Sequence, residues 1–99
     1  MTRFQLTPAA NADLADILAF VAEDSLDAAE DLKSRLVAAI DALAGMPGLG
    51  HRRDDLTDRD LRFWPVESYL IVYRPDMMPL QIVRVLSGFR DLVEMLKEP

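Results

Sequence analysis

Residues 61–88 read LRFWPVESYLIVYRPDMMPLQIVRVLSG and decide the fold class of this chain. The stretch is rich in aromatic and β-branched residues, and proline-bounded PDMMP at residues 75–79 has the composition of a hairpin turn. Pro65 lacks an N–H group, so it belongs at an edge, at a bulge or at the end of its strand. The stretch therefore predicts three successive strands, at residues 61–66, 68–74 and 80–88.

Two amphipathic helices are predicted before these strands. Thr7 and Pro8 form an N-cap residue followed by proline at the first helical position, and Ser25 can cap the second helix. Gly45 and Pro47 end the second helix, and a link of two or three residues forces an antiparallel helical hairpin. Apolar residues recur with a period near 3.6. They are Ala10, Leu14, Ile17, Leu18 and Val21 in the helix from Pro8 to about Glu23, and Ala29, Leu32, Leu36, Ile40 and Leu43 in the second helix.

The complete order predicts a single α+β domain over residues 1–99. RFQL at residues 3–6 is a short strand that we expect to pair on the sheet, and RDLVEMLKE at 90–98 can form a short C-terminal helix. The order is β-α-α-β-β-β with this possible helix. Neither layer can bury its apolar side alone, so the helical hairpin must pack on a small antiparallel sheet.

Composition narrows the classes of function. The chain has no cysteine and one histidine, which argues against a metal site, and nothing points to a cofactor. No apolar run approaches the roughly 20 residues that span a membrane, and the N-terminal residues do not resemble a signal peptide. We therefore expect the protein to be located in the cytoplasm. The net charge of −6 argues against binding of DNA or RNA by the protein alone.

The basic residues are unevenly distributed. Residues 1–50 contain three basic and eight acidic residues, whereas residues 51–99 contain eight basic and nine acidic residues. Seven of the nine arginines lie between Arg52 and Arg90. An arginine-rich half in an acidic protein favours recognition of carboxylates on a partner over a broad phosphate-binding face. Asp13, Asp16, Glu23, Asp24 and Asp27 are interpreted as a solvated acidic face.

Four segments in this order resemble the ParE/RelE superfamily of type II toxin–antitoxin toxins, and its ParE-like branch. They are LTPAANADLADI at 6–17, PGLGHRRDDL at 47–56, LRFWPVESYLIVYRP at 61–75 and IVRVLSGFRDL at 82–92. The resemblance implies a toxin encoded beside an antitoxin, which wraps it in a hetero-oligomer and keeps it inactive. RelE-like members cut messenger RNA in the ribosomal A site, whereas ParE-like members poison DNA gyrase.

The residues favour the ParE-like function over ribonuclease activity. RNA cleavage needs activation of a ribose hydroxyl and protonation of the leaving oxygen. RelE-like enzymes usually use a late Tyr or His, but this chain has neither after Tyr73, and Phe89 cannot transfer a proton. Arg62, Arg84 and Arg90 could still stabilise a phosphate. A ribonuclease and a non-toxic interaction module therefore remain as alternatives.

The candidate contacts for an antitoxin or a target are mostly arginines. They are Arg52, Arg53, Arg59, Arg62, Trp64, Arg84 and Arg90. Those of the 52–62 loop lie among Asp54, Asp55, Asp58 and Asp60, which fits either local ion pairing or a docking patch. His51 is interpreted as a solvated loop residue rather than a general base.

Alternation of side chains along the strands indicates which of these candidates face a partner. Phe63 and Trp64 must face opposite sides of the sheet, and Ile82, Arg84 and Leu86 are expected to oppose Val83, Val85 and Ser87. Both faces are then apolar, so the second face needs an antitoxin segment, a second protomer or the C-terminal helix as its cover. Arg62 and Arg84 are the two arginines that we expect to pair with antitoxin carboxylates.

Overall fold

The structure, a computed structural model, describes residues 3–97 apart from the side chains of residues 89 and 90. Its element order confirms the predicted α+β arrangement, including the C-terminal helix. The elements are β1 (Phe4–Leu6), α1 (Pro8–Asp24), α2 (Leu26–Gly45), a 3₁₀ turn (Pro47–Leu49), β2 (Arg62–Val66), β3 (Tyr69–Arg74), β4 (Leu80–Leu86) and α3 (Phe89–Lys97).

The helical hairpin is tighter than predicted, because Ser25 alone links its helices. The Ser25 N–H group donates to the Val21 carbonyl at 3.0 Å and so ends α1, while its hydroxyl accepts the Ala28 N–H at 3.1 Å and so begins α2. Thr7 caps α1 in the predicted way, accepting the Ala10 N–H at 3.0 Å. No helix within residues 3–97 is long and apolar enough to cross a membrane.

The four strands form one sheet in the order β1-β4-β3-β2. The three later strands are antiparallel, and β1 joins the sheet as predicted, although it runs parallel to β4. The helical hairpin packs on one face, which we call the hairpin face. The five predicted apolar positions of α2 are all buried. Four of them, Leu32, Leu36, Ile40 and Leu43, lie in one core cluster with Ile71, Tyr73 and Ile82 of the sheet.

Helix α3 covers apolar side chains on the opposite face, which we call the α3 face. Leu92 and Met95 pack against Phe63, Val72 and Leu86 in a second core cluster. Of the three covers that the sequence left open, the C-terminal helix is the one that occupies this position. Phe63 and Trp64 point to opposite faces, as predicted, because Trp64 packs on the hairpin side.

The predicted alternation of β4 is wrong because the strand contains a β-bulge. Val72 of β3 lies opposite Arg84, but the next residue, Tyr73, lies opposite Ile82. Val83 is therefore an extra residue in β4, and the side-chain alternation shifts by one beyond it. In consequence Val85 joins Ile82 in the core of the hairpin face, whereas Leu86 joins the α3 face.

Candidate interaction site

A cavity of about 550 Å³ on the α3 face brings together Arg59, Arg74 and Arg84. Arg59 comes from the loop before β2, Arg74 ends β3 and Arg84 lies in β4. Met95 of α3 is also part of the cavity wall. Two of the predicted candidates, Arg59 and Arg84, thus lie at one site.

Arg84 is held by Asp13 of α1. Its Nε and Nη2 donate to the two Asp13 carboxylate oxygens at 2.7 and 3.0 Å, a bidentate charge-assisted pair. The Arg84 and Asp13 side chains are only 21% and 17% exposed. The prediction that Asp13 belongs to a solvated face is therefore wrong, because Asp13 is largely buried in its pair with Arg84.

Asp13 also completes the hydrogen bonding of the β4 edge. Strand β1 pairs with β4 only as far as Ile82. Beyond that point the Thr7 hydroxyl donates to the Val83 carbonyl at 2.7 Å, and the Val85 N–H donates to Asp13 at 3.0 Å. Side chains from the start of α1 thus satisfy backbone groups that a short β1 would leave open to another strand.

Arg59 and Arg74 are held more loosely than Arg84. Arg59 Nη2 approaches the Met95 carbonyl at 3.4 Å, and among the described residues no carboxylate pairs with it. Arg74 pairs with Asp76 at 3.3 Å, where both side chains are more than two-fifths exposed. Sequence reasoning missed Arg74 as a site residue, although alternation along β3 puts it on the same face as Val72, which is the α3 face.

Arg52 and Arg53 of the loop before β2 make local ion pairs. Arg53 donates to both oxygens of Asp55 at 3.0 and 2.9 Å, and Arg52 lies 3.4 Å from both Asp54 and Asp60. The hydrogen bond from Arg53 lowers the pKa of the Asp55 carboxyl. Such exposed pairs contribute little to stability, so they could be exchanged for contacts with a partner at little cost. Docking by this loop stays a prediction.

Arg62 and Trp64 lie on the hairpin face, away from the cavity. Arg62 is paired across the sheet with Tyr73 and donates to the Gly50 carbonyl at 2.9 Å. Its buried Nε has no hydrogen-bond acceptor among the described residues. Trp64 is half-buried and stacks on the exposed His51 ring, with centroids 5.9 Å apart. Arg62 and Arg84 are therefore not parts of one site, and the Arg90 side chain lies outside the described residues.

Tyr73 is the one tyrosine in the described core, and its hydroxyl has a structural role. It donates to the Pro47 carbonyl at 2.7 Å and accepts the Gly50 N–H at 2.8 Å. A Cβ at Gly50 would overlap this hydroxyl, so the close approach requires glycine. Burial raises the pKa of the Tyr73 phenol. The Tyr73 hydroxyl is therefore neutral and already hydrogen-bonded, and it lies on the face opposite the cavity.

Comparisons with known proteins show the family of this chain. The family model of the ParE toxin of the type II toxin–antitoxin system, parDE, matches residues 4–92. The chain belongs to the ParE toxin family.

Membership of this family implies an antitoxin partner. A solved chain of the chromosomal ParDE toxin–antitoxin system from P. aeruginosa superposes with a TM-score of 0.69, covering 86% of this chain and 94% of that chain. Their identity is 20%, so the likeness shows a shared fold. No curated protein sequence matches the chain. Within residues 3–97, no group of three or more acidic, histidine or cysteine residues is arranged to hold a metal ion.

Proposed function

We propose that this ParE-family chain arrests growth by binding DNA gyrase in the cytoplasm, without a catalytic reaction of its own. The ParE family match supports a toxin, and the gyrase target follows from the resemblance to ParE-like members. The observation that carries the non-catalytic mechanism is the chemistry of the arginine cavity. Among the residues that the structure describes, its wall contains three arginines and Asp60, but no His, Tyr or Lys.

A ribonuclease would need more than this cavity offers. Three guanidinium groups can stabilise a phosphate, but they stay protonated and so cannot exchange a proton with the ribose or the leaving oxygen. Asp60, the one carboxylate of the described cavity wall, is exposed and forms an ion pair with Arg52 at 3.4 Å. His51 and Tyr73 are elsewhere in the fold. Binding therefore accounts for the site better than catalysis does.

The experiment compares the two targets directly. Expression without an antitoxin should arrest bacterial growth, and the purified toxin should inhibit supercoiling of relaxed plasmid by gyrase. The same preparation should leave messenger RNA intact on programmed ribosomes. Ribosome-dependent cleavage with normal supercoiling would replace this proposal by the ribonuclease alternative. Normal growth despite confirmed folded expression would leave a non-toxic interaction module.

The cognate antitoxin is proposed to cover the arginine cavity. Arginine forks bind carboxylates in a bidentate manner, and Arg59 and Arg74 offer exposed guanidinium groups for this purpose. We expect the antitoxin segment to be partly disordered when it is free and to fold along the toxin, since a short segment can then cover a large area. Acidic side chains of that segment would face the cavity in the hetero-oligomer.

A further inference from the structure

Two large apolar side chains are exposed where the helical hairpin turns. Phe20 of α1 is 71% exposed and Leu26 of α2 is 72% exposed, on either side of the Ser25 link. By contrast, the apolar residues of α1 and α2 that face the sheet are buried or half-buried. We call the surface formed by Asp16, Phe20, Glu23, Asp24, Leu26 and Asp27 the hairpin tip.

The hairpin tip is concave beside Phe20. A cavity of about 400 Å³ lies between α1 and the sheet, and Ile17, Phe20 and Tyr69 form its apolar walls. Asp16, Ser68 and Ser87 supply its polar lining. An aliphatic chain that enters this cavity would therefore pass along an aromatic ring and end near a carboxylate.

The helical segments that form the tip carry charge of a single sign, and Arg84 of β4, which Asp13 holds, lines a neighbouring cavity together with Asp16. Residues 4–32 contain seven acidic residues and no Lys, Arg or His. Asp13 is paired with Arg84, and Asp31 is paired with Arg35 of the next helical turn. The ion pairs between described side chains, which do not include that of Arg90, leave out the exposed tip carboxylates of Asp16, Glu23, Asp24 and Asp27.

We propose that the hairpin tip docks on a basic surface of the protein that the toxin inhibits. A Lys or Arg side chain of that surface lies over Phe20, its aliphatic part enters the adjacent cavity, and its charged end meets Asp16. Such a cation gains from the aromatic face as well as from the carboxylate. The inference rests on the proposed inhibitory binding, and it assigns that binding to a surface distinct from the arginine cavity.

Charge complementarity selects this occupant over two others. A second copy of the chain would bring the same acidic rim against itself in a two-fold interface, which like charges oppose. An antitoxin segment rich in carboxylates suits the arginine cavity and would be repelled by the tip. A DNA-handling enzyme such as gyrase must carry basic surfaces that bind phosphates, and these match the tip.

The apolar part of the tip is tested with the double variant Phe20→Ala/Leu26→Ala. The matched control is Met46→Ala, because Met46 is 63% exposed at the opposite end of α2. All three proteins are compared for thermal unfolding, antitoxin affinity, gyrase affinity and growth arrest. We expect the double variant to lose at least tenfold in gyrase affinity and to lose growth arrest. Its unfolding temperature and antitoxin affinity should match those of the control.

The acidic part is tested with Glu23→Gln/Asp24→Asn. The control, Asp58→Asn/Glu94→Gln, removes the same two charges from exposed positions outside the tip. We expect the tip variant to bind gyrase more weakly at low salt and to lose less affinity than the control when salt is raised. Equal affinities and equal salt dependence in the two variants would overturn the role of charge.

The outcomes separate the tip from the identity of the target. If the wild type binds gyrase and the Phe20→Ala/Leu26→Ala variant binds equally well, the tip is wrong and the proposed function stands. If the wild type arrests growth without binding gyrase, the proposal that gyrase is the target is wrong. Growth arrest by the variant then tests whether the hairpin tip is the docking surface. Loss of arrest in that folded variant then supports the docking surface, whereas retained arrest refutes it.

Discussion

The guanidinium group of Arg84 and the carboxylate of Asp13 join β4 to α1 through two hydrogen bonds of 2.7 and 3.0 Å. The same carboxylate accepts the Val85 N–H group, so one side chain fixes both a charge and a strand edge. Both residues are at most about one-fifth exposed. The pair is therefore a link between the helical hairpin and the sheet rather than a solvated surface contact.

Removal of the Asp13 carboxylate should destabilise the protein. Asp13→Ala takes the acceptor from Arg84 and from the Val85 N–H, and partly buried groups that lose such partners cost about 2 kcal/mol. Asp13→Asn keeps one oxygen for Val85 and should cost less. Urea unfolding measures both, with the exposed Asp16→Asn as the control, which should change stability by less than about 0.5 kcal/mol. An equally small effect of Asp13→Ala would show that the pair contributes nothing.

Tyr73 makes the stability of the folded protein depend on pH in the alkaline range. Burial raises the pKa of the phenol above its ordinary value near 10, so the unfolded chain releases this proton first. The contribution of Tyr73 to the free energy of unfolding is complete below about pH 10 and is lost as the pH rises through the raised pKa. Tyr73→Phe should lower stability by about 1–2 kcal/mol at neutral pH and remove this part of the alkaline loss. Parallel alkaline slopes for the two proteins in denaturant unfolding would contradict the assignment.

The hairpin core should not tolerate a carboxylate. Leu36 is 0% exposed, whereas its neighbour Val37 is 43% exposed on the same helix. Leu36→Asp buries an unpaired charge and should unfold the domain, while Val37→Asp should cost less than about 1 kcal/mol. Leu14→Asp is expected to be severe but milder, since Leu14 is half-buried. Circular dichroism with urea titration distinguishes them, and a cooperatively folded Leu36→Asp variant would mean that the α2 core face is misplaced.

The helices and the core were predictable because local signals and tertiary packing agree. Thr7, Ser25 and the apolar stripe of α2 each give a local signal, and the structure uses them for the same purpose. The same is true of the opposed faces of Phe63 and Trp64. Such agreement across levels is what makes a sequence specify one fold.

The site was only partly predictable because it depends on a bulge and on long-range contacts. Strict alternation cannot reveal that Val83 is an extra residue, and this shift decides which side chains β4 gives to each face. Asp13 and Arg84 are 71 positions apart, so their pairing leaves no local pattern. Arg59 and Arg74 belong to different elements, a loop and the end of β3, so no local pattern joins them either.

Free nucleic acid should be a poor ligand for the isolated toxin. The net charge is −6, and the three cavity arginines form a local site rather than a continuous basic stripe, so little counterion release is available. Fluorescence anisotropy with random duplex DNA and with single-stranded RNA at about 150 mM salt should give dissociation constants weaker than about 10 μM. Micromolar or tighter binding under these conditions would restore a role for direct nucleic-acid contact.

Reversal of charge at the arginine cavity should weaken the antitoxin complex. Arg62 and Arg84 stay proposed contacts, but Arg84→Glu would also set a second carboxylate against Asp13 and disturb the fold. Arg59→Glu gives a cleaner test because no described carboxylate pairs with Arg59, and Arg74→Glu disturbs only an exposed pair.

Each of these two variants should lower antitoxin affinity by at least about tenfold, since an acidic segment would then meet a negative cavity. The control is Arg35→Glu on α2, whose partners Asp31 and Glu67 are exposed and distant from the cavity wall. Calorimetric titration of each folded variant with the antitoxin measures the change. Because charge reversal at an engaged arginine both removes an attraction and adds a repulsion, losses below tenfold in both variants would exclude the cavity from the antitoxin interface.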